Sequence, residues 1–392
     1  MADKAKRIFL LMISAVCLFL LWLVGWQLPE FYMRQNKLST ISIPGHRSVR
    51  KHRYILNKTH SILQYDTGEP EPPSKTILFW TTYYSYRKLW PFDKKFPLGP
   101  LCPYRCRLTH KKSLYNQSDA VLFHAWTVDI DKLPKWRFPY QQWVLYNQEP
   151  PFRLEGAHFH AADYNGLFNW TMSYKTNSDV YSPYGRRGRI SGNEKEPTQP
   201  RTKFDRKPAA VALIRRCSST QGRVQFAYEL AEHYPVHFYG RCFGQTICQD
   251  MPRADASRCV LDFIGQYKYY LAFENSVGCS DYITEKYWVN GLRSGSLPVV
   301  MGTSRTDYER LAIPGSYIHV NDFKSAEALA AHLRNLDAHA DAYSAYFSWV
   351  NKYKYSRNQK WCELCSQLHE QRSGATQVYD SLEQWLGDCR AN

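Results

Sequence analysis

Three consecutive side chains in the second half of the sequence, Thr284, Glu285 and Lys286, have the types and spacing to bind a phosphate group. Thr284 can cap a helix that begins at Glu285. The first turn of such a helix offers free amides and positive potential to an anion. Lys286 adds a full charge there, and the Glu285 carboxylate can accept hydrogen bonds from ribose hydroxyls or a guanine amide. These residue types suit a nucleoside diphosphate, but on these residues alone the pattern favours an ordinary capped helix with a surface Glu-Lys pair.

The residues around this triplet predict a lobe in which strands and helices alternate. One strand ends at Glu274-Asn275, and a loop then leads over the sheet edge to the helix at Glu285. Such alternation is the pattern of a doubly wound nucleotide-binding sheet. The predicted strands are 209–214, 236–239, 269–273 and 297–301, and the predicted helices are 223–233, 285–295 and 326–336.

A first α/β lobe precedes this one. Apolar runs at 75–80, 119–124 and 142–147 are typical of strands buried on both faces of a parallel sheet. The basic stretch 184–208, which contains Pro and Gly, interrupts the pattern and marks a linker. At 392 residues the chain exceeds what one hydrophobic core usually supports, which agrees with two lobes.

The region around the triplet also resembles the signature of glycosyltransferase family 10, the α-1,3/1,4-fucosyltransferases. It reads Tyr270-Leu-Ala-Phe-Glu-Asn-Ser276, Asp281-Tyr-Ile-Thr-Glu-Lys286 and Leu297-Pro-Val-Val-Met-Gly302. The resemblance extends over about residues 75–365. It implies an α/β fold with two Rossmann-like lobes facing a cleft, the GT-B architecture. It further implies inverting transfer of L-fucose from GDP-fucose to a GlcNAc hydroxyl of a glycan in α-1,3 linkage.

The resemblance implies the residues that bind the donor. The family's glutamate and lysine that contact GDP correspond to Glu285 and Lys286, and Tyr282 lines the same pocket. Arg223 matches the arginine that neutralises the pyrophosphate, although its residue type also fits a solvated helix arginine. The other implied GDP-fucose-binding residues are Tyr174, Tyr270 and Asn275.

The resemblance also implies that the general base comes from the first lobe. The family has a glutamate just after a strand, and here Glu149 follows the run 142–147 and precedes Pro150. The prolyl bond biases Glu149 away from helix and holds it at the strand exit, where its carboxylate can face the cleft. As base it takes the acceptor hydroxyl proton while that oxygen attacks the anomeric carbon opposite the leaving GDP. A loop carboxylate is the alternative.

Two departures from the family pattern affect the site. Arg215-Arg216-Cys217 stands where relatives often have serine and asparagine, so those contacts are not implied. One extra residue lengthens the loop 277–280, and Cys279 there is a candidate free thiol. The alternative function is therefore a non-catalytic lumenal glycan-binding protein on a decayed transferase fold. Retention of the implied base and donor residues favours the enzyme.

Asp129 and Asp131 have the spacing of metal-binding carboxylates in the other glycosyltransferase architecture. They follow the strand at 119–124 closely and adjoin Lys132, so we interpret them as a loop. We expect no metal ligands. No cofactor is required for the chemistry, a divalent metal is at most stimulatory, and GDP-fucose is the donor substrate.

The N-terminus predicts a membrane anchor. Phe9–Trp26 contains eighteen residues without a charge, which matches a hydrocarbon core of roughly 30 Å. A cleaved signal peptide is the alternative, but the run exceeds the usual length and no clear small-x-small site follows before Pro29. Lys4, Lys6 and Arg7 keep the short N-terminus cytoplasmic. We expect a single-pass type II Golgi membrane protein with a lumenal catalytic head.

Sequons and cysteines agree with a lumenal head. Asn57, Asn116 and Asn169 begin glycosylation sequons. Ten of the eleven cysteines follow the anchor, an even number that an oxidising lumen allows to pair. Buried reduced thiols are the alternative for the cysteines as a whole.

Two widely separated cysteine clusters match each other in the sequence. We expect Cys102 and Cys106 to pair with Cys362 and Cys365, which ties together the chain ends of the head. A bond between Cys362 and Cys365, or a zinc site, is the alternative.

The formal net charge of +16 comes from basic residues spread along the chain, and a lumenal head does not meet nucleic acid. The expected partners are GDP-fucose, a glycan or glycoprotein acceptor, and the membrane through the anchor. The sequence leaves open whether the acceptor is the core N-glycan GlcNAc or a peripheral lactosamine, and it predicts no oligomeric state. The predicted division is a cytoplasmic tail 1–8, an anchor 9–28, a stem 29–74, an acceptor-binding lobe with the base 75–185, a linker 186–207, a GDP-fucose-binding lobe 208–365 and a C-terminal tail 366–392.

Overall fold

The computed structural model describes much of the chain after residue 73, within one compact unit that comprises residues 70–392. The described residues are 74–85, 89–90, 98, 102–157, 159–190, 206–215, 217, 221–249, 251–356, 359–370, 378–387 and 389–391. The predicted cytoplasmic tail, the anchor and nearly all of the stem, with Asn57, lie outside them. Within these ranges, no helix combines the length and apolar character that a membrane span needs.

Strands and helices alternate along most of the described chain, as predicted. The strands are β1 (Lys75–Phe79), β2 (Cys106–Thr109), β3 (Ala120–His124), β4 (Gln142–Asn147), β5 (Trp170–Ser173), β6 (Val180–Tyr181), β7 (Arg186–Arg189), β8 (Lys207–Leu213), β9 (Val236–Tyr239), β10 (Tyr267–Phe273), β11 (Ser276–Val277), β12 (Leu297–Met301), β13 (Ile318–His319), β14 (Tyr353–Ser356) and β15 (Arg390–Ala391). The α-helices are α1 (Pro151–Glu155), α2 (Gln221–Ala231), α3 (Arg253–Ile264), α4 (Leu292–Ser294), α5 (Arg305–Leu311), α6 (Ala326–Ala338), α7 (Ala340–Ala345), α8 (Lys360–Glu370) and α9 (Leu382–Leu386). A π-helix, Lys286–Gly291, leads into α4, and short 3₁₀ helices occupy Lys112–Gln117, Ile130–Lys132, Ala161–Tyr164, Arg241–Phe243, Val320–Asp322 and Ser348–Asn351.

The first lobe contains a six-stranded parallel sheet in the order β2-β1-β3-β4-β5-β6. All residues of β3 and β4 are buried, as expected for central strands covered on both faces. The end of the chain helps to cover them. Helix α8 packs Trp361 and Leu364 on one face, and α9 packs Leu382 and Trp385 on the other.

This packing corrects the predicted division at the C-terminal end. The predicted division assigns residues 360–365 to the second lobe and 366–392 to a separate tail, but helices α8 (Lys360–Glu370) and α9 (Leu382–Leu386) both pack on the first lobe. The physical reason is that each segment has an apolar face, and the sheet faces of the first lobe remove that surface from water. The predicted linker also begins later, because β7 pairs antiparallel with β14; residues 191–205 lie outside the described ranges.

The second lobe contains a five-stranded parallel sheet in the order β13-β12-β10-β8-β9. Strands β9 and β12 have the predicted bounds. Helices α2 and α6 pack on one face of the sheet, and α3, the π-helix and α4 pack on the other. The sheet is therefore doubly wound, which agrees with the predicted nucleotide-binding lobe.

The ten cysteines that follow the apolar N-terminal run form five disulfides. Cys102 bonds to Cys362 and Cys106 to Cys365, as the two clusters predict. Within the described ranges, the one group spaced like metal ligands is Cys106, Cys365 and His369, but its two sulfurs are bonded to each other. The prediction of a free Cys279 is wrong, because this residue bonds to Cys389. The remaining pairs are Cys217–Cys242 and Cys248–Cys259.

The two described sequons differ in exposure. Asn116 is exposed on a 3₁₀ helix. Asn169 is 2% exposed, and its Oδ1 accepts hydrogen bonds from Trp143 N at 2.8 Å and from Arg137 Nη1 at 3.1 Å. A glycan needs its asparagine at the surface, so the predicted glycosylation of Asn169 is wrong for the folded protein.

We predict that Asn116→Gln removes one glycan from a chain expressed through the secretory pathway, while Asn169→Gln removes none. The reason is the contrast in burial between the two amides. Electrophoretic mobility before and after glycosidase treatment measures the difference. A glycopeptide that carries a sugar on Asn169 would contradict this assignment.

Candidate active site

A cleft of about 570 Å³ opens at the carboxyl ends of strands from both lobes. The first lobe contributes residues that follow β4, and the second lobe contributes the exits of β8 and β10. Parallel α/β sheets bind ligands at this edge. The cleft is lined by Glu149, Tyr184, Leu213, Ile214, Arg215, Arg223, Cys248, Ala256, Ser257, Val260, Leu261, Tyr270, Asn275, Tyr282, Glu285, Lys286, Val289, Asn290 and Arg293.

A buried ion pair fixes one wall of the cleft. Lys286 Nζ lies 2.8 Å from Glu274 Oε2, and Glu274 is fully buried. The Thr284 amide also donates to Glu274 Oε1 at 2.8 Å, and the Thr284 hydroxyl contacts both carboxylate oxygens at the same distance. Gly302 allows this packing: at φ +153°, an added Cβ would lie 2.7 Å from Glu274 Cβ. The carboxylate thus joins the exit of β10 to the start of the π-helix.

The pKa values of this pair reflect burial and mutual charge. Burial raises the pKa of the Glu274 carboxyl, and the Lys286 ammonium opposes that effect. Burial also disfavours the charge on Lys286, but Glu274 and then Glu285 outweigh it and raise the pKa of the ammonium. Lys286 therefore carries its positive charge into the cleft.

The start of the predicted helix has a different form from an ordinary α-helix. Residues Lys286–Gly291 wind as a π-helix, and such segments occur often at functional sites. Thr284 Oγ1 accepts a hydrogen bond from Lys286 N at 3.3 Å, which is the predicted capping contact. The same hydroxyl contacts Glu274, so Thr284 links the helix start to the buried carboxylate.

Arg223 lies on α2 with only 3% of its surface exposed. Its Nη1 donates to the carbonyl of Phe273 at 3.2 Å. Burial lowers its pKa, and the field of Glu274 opposes that shift. The alternative of a solvated helix arginine is therefore wrong, because the guanidinium lies in the cleft wall.

Glu149 is held in place through its backbone. Asn147 Oδ1 accepts a hydrogen bond from Glu149 N at 2.9 Å, and Asn147 Nδ2 donates to Glu149 O at 2.8 Å. The Tyr184 hydroxyl donates to the preceding carbonyl, Gln148 O, at 2.6 Å. Pro150 follows in an extended conformation. The half-buried carboxylate of Glu149 therefore lines the cleft from a fixed turn at the exit of β4.

Tyrosines form a buried wall behind the charged groups. Tyr270 and Tyr282 line the cleft, and burial raises the pKa of Tyr270 to about 12. Tyr174 is placed differently from the expectation. Its ring lies 4.9 Å from that of Tyr282, and it is absent from the cleft lining. Tyr174 thus supports Tyr282 from the first lobe.

The cleft brings together seven predicted site residues and adds others. Glu149, Arg223, Tyr270, Asn275, Tyr282, Glu285 and Lys286 all line it. Arg215, from the segment that departs from the family pattern, adds a cation to the same cleft, as does Arg293. Sequence reasoning placed Glu274 at the end of a strand but assigned it no role. Its position twelve residues before Lys286, across a loop, gives no local signal of the ion pair.

Asp129 and Asp131 lie outside the cleft lining. Asp129 Oδ1 accepts a hydrogen bond from Asp131 N at 3.1 Å, and Asp129 Oδ2 pairs with Lys132 Nζ at 2.5 Å. These contacts close a short 3₁₀ turn. The interpretation of this sequence as a loop is confirmed.

Comparisons with known proteins match both lobes. A family model described as fucosyltransferase, N-terminal, matches residues 72–185, and one described as glycosyltransferase family 10 (fucosyltransferase) C-term matches residues 204–385. The alpha-(1,3)-fucosyltransferase 7 of Bos taurus is 35% identical over 333 residues, which cover 81% of this chain and 88% of that protein. A 4-galactosyl-N-acetylglucosaminide 3-alpha-L-fucosyltransferase of Homo sapiens is 33% identical, with 82% and 83% covered. A crystal structure of an alpha1,3-fucosyltransferase with GDP-fucose has a similar fold, with a TM-score of 0.52 and 16% identity over 82% of this chain and 96% of that one.

We predict that Glu274→Ala lowers the free energy of unfolding by about 3 kcal/mol, because it leaves a largely buried ammonium without its main partner. Glu285→Ala is the matched control, since its side chain is 53% exposed and 3.8 Å from the same Nζ; we expect an effect of about 0.5 kcal/mol or less. Urea unfolding of a chain that begins at Lys75 measures both. Equal effects would contradict the importance of the buried pair.

Proposed function

Because the chain belongs to the fucosyltransferases of glycosyltransferase family 10, we propose that it transfers L-fucose from GDP-fucose to a GlcNAc hydroxyl of a glycan in α1,3 linkage, with inversion. The observation that carries the proposal is the meeting of Glu149 from the first lobe with Arg223 and Lys286 from the second in one cleft. The names of the bovine and human relatives agree with this activity. Membership of an enzyme family disfavours the non-catalytic alternative.

The diphosphate of the donor binds between the cations of the second lobe. Arg223 and Lys286 are both held by neighbouring groups, so they present charge without rearrangement when the ligand arrives. Arg215 takes part from the exit of β8, where it lines the same cleft. Glu285, whose side chain is 53% exposed, accepts hydrogen bonds from the ribose or the guanine.

The reaction is a displacement at the anomeric carbon. Glu149 takes the proton of the acceptor hydroxyl as its oxygen forms the new bond to that carbon. The bond from carbon to the β-phosphate oxygen breaks on the opposite face, and its electron pair leaves with GDP. The growing negative charge on the phosphate is stabilised by Arg223 and Lys286, which supports chemistry without an essential metal or cofactor. A divalent metal is at most stimulatory.

The acceptor approaches from the first lobe, where aromatic rings lie beyond the exits of β1 and β3. Tyr84 has a φ of +55°, and its ring lies 4.4 Å from that of His124. Burial, and then the neighbouring Glu149 carboxylate, raise the pKa of Tyr84, so its hydroxyl stays protonated beside the base. Aromatic faces suit the apolar faces of sugars. Core N-glycan GlcNAc and peripheral lactosamine both remain acceptor classes for this site.

We also propose that the protein acts in the Golgi as a single-pass type II membrane protein, anchored through residues 9–28 with its head in the lumen. The apolar run, the basic residues before it and the fully paired lumenal cysteines support this.

Removing either cleft cation is predicted to weaken GDP binding by about 10- to 100-fold. Lys286→Ala and Arg223→Ala each remove a charge-assisted contact of roughly 1.5–3 kcal/mol. Lys132→Ala, in a side chain that is 73% exposed and outside the cleft, is the control. Calorimetry measures GDP affinity, and transferase activity in excess chelator tests separately the proposal that the chemistry needs no metal. Unchanged affinity in both variants would refute this nucleotide site.

The proposed base predicts that Glu149→Gln lowers turnover by about 100-fold or more, because the amide keeps the size of the side chain but cannot accept the proton. GDP affinity should stay near the wild-type value. Single-turnover kinetics with GDP-fucose and both acceptor classes measure the step. Asp163→Asn is the matched control. Near-normal turnover in Glu149→Gln would assign the base to another carboxylate, with Glu155 and Asp163 next in the sequence.

A further inference from the structure

The last described residues connect the first lobe to the wall of the donor cleft. We call residues 378–387 and 389–391 the terminal strap. Its first half is bound to the first lobe: the Tyr379 hydroxyl donates to Asp179 Oδ2 at 2.6 Å, and Leu382 N donates to Asn165 Oδ1 at 2.9 Å. Lys175 Nζ donates to the carbonyl of Leu386 at 2.8 Å. The buried side chains of α9 add apolar contact with the sheet.

The second half of the strap crosses to the second lobe. Cys389 forms a disulfide with Cys279, with their Cα atoms 4.6 Å apart. Strand β15 pairs antiparallel with β11, which places Ala391 opposite Ser276. The end of the strap is therefore joined to the loop 275–282 by a covalent bond and by strand pairing.

This loop supplies part of the cleft wall. Asn275 and Tyr282 line the cleft from its two ends. Tyr282 N donates to Cys279 O at 3.2 Å. The disulfide-bonded Cys279 is therefore hydrogen-bonded through its backbone to Tyr282, which lines the cleft. Cys279, Tyr282 and Tyr174 form one buried cluster, with Cys389 and Tyr184 at its margin.

We propose that the terminal strap is a positioning element of the donor site: Cys389, through Cys279, holds Tyr282 and Asn275 in the arrangement that binds GDP-fucose. The proposal rests on the proposed function of the cleft. A loop held before the ligand arrives loses less conformational freedom on binding than a loose one. The contacts of Asp281 with Thr176 and Arg310 anchor the loop independently at residue 281, so releasing the strap should loosen the cleft wall without unfolding the lobe.

The test uses the full-length protein with Cys279→Ser and Cys389→Ser together. The matched control, Cys102→Ser with Cys362→Ser, also removes one disulfide but involves no residue of the cleft wall. We expect the first variant to raise the Kd for GDP and the KM for GDP-fucose by about tenfold, with the KM for the acceptor within about twofold. In the control variant, the Kd for GDP and the KM for GDP-fucose should stay within about twofold of the wild-type values. A folded strap variant with an unchanged donor Kd would overturn the proposal, as would an equal loss in the control.

Lys175→Met supplies a second test if the serine variant does not fold. It releases the carbonyls of Trp385 and Leu386 while leaving every cysteine and cleft-lining residue in place. A rise in donor Kd of about threefold or more supports the strap's role, and an unchanged value overturns it. A wild-type protein that fails to bind GDP would refute the proposed function itself, whereas equal binding by wild type and both variants would refute only the strap.

Discussion

The buried carboxylate of Glu274 determines how the second lobe presents its charges. Glu274 directly follows β10, and its carboxylate joins the strand exit to the start of the π-helix. A carboxylate removed from water is strongly destabilising unless a cation and hydrogen bonds compensate it. Lys286 and Thr284 meet that requirement together. The strand end, the capped turn and the cleft cation must therefore form as one unit, and the positions of Tyr270 and Asn275 follow from it.

The proposed base, Glu149, and the cations Arg223 and Lys286 belong to different lobes, so the proposed chemistry depends on how the chain ties the lobes together. The fold does this at several points. Helix α8 returns to the first lobe and is bonded there through Cys362 and Cys365. Thr176 of the first lobe donates to Asp281 of the second at 2.7 Å, and the terminal strap bridges both. These links limit the movement of Glu149 relative to Lys286. The proposed displacement is effective only if these groups keep a fixed geometry.

The sequence predicted the bounds of the central strands β4 and β12 because these strands are continuous apolar runs. The edge strand β9 also has the expected bounds. Sequence reasoning missed short strands such as β2, whose four residues CRLT carry no such run. Most donor residues were placed by the family motif rather than by periodicity. Contacts between segments that are distant in the chain were harder to predict from the sequence. The apolar face of a helix does not indicate which sheet it packs on. A sequon tripeptide does not indicate that Asn169 is buried. A single motif position does not indicate that Tyr174 packs behind Tyr282.

The burial of Arg223 explains why the departure at Arg215 is compatible with catalysis. Arg223 is held by Phe273 O and by the field of Glu274, so its charge is fixed in a poorly solvated wall, where it acts strongly on a phosphate. Arg215 lines the same cleft and adds positive charge to it. Charge of this kind accelerates the reaction only where it binds the transition state more strongly than the intact donor. In the proposed displacement, negative charge grows on the β-phosphate oxygen as the bond breaks. Added cations around that oxygen therefore stabilise the transition state, as Arg223 and Lys286 do.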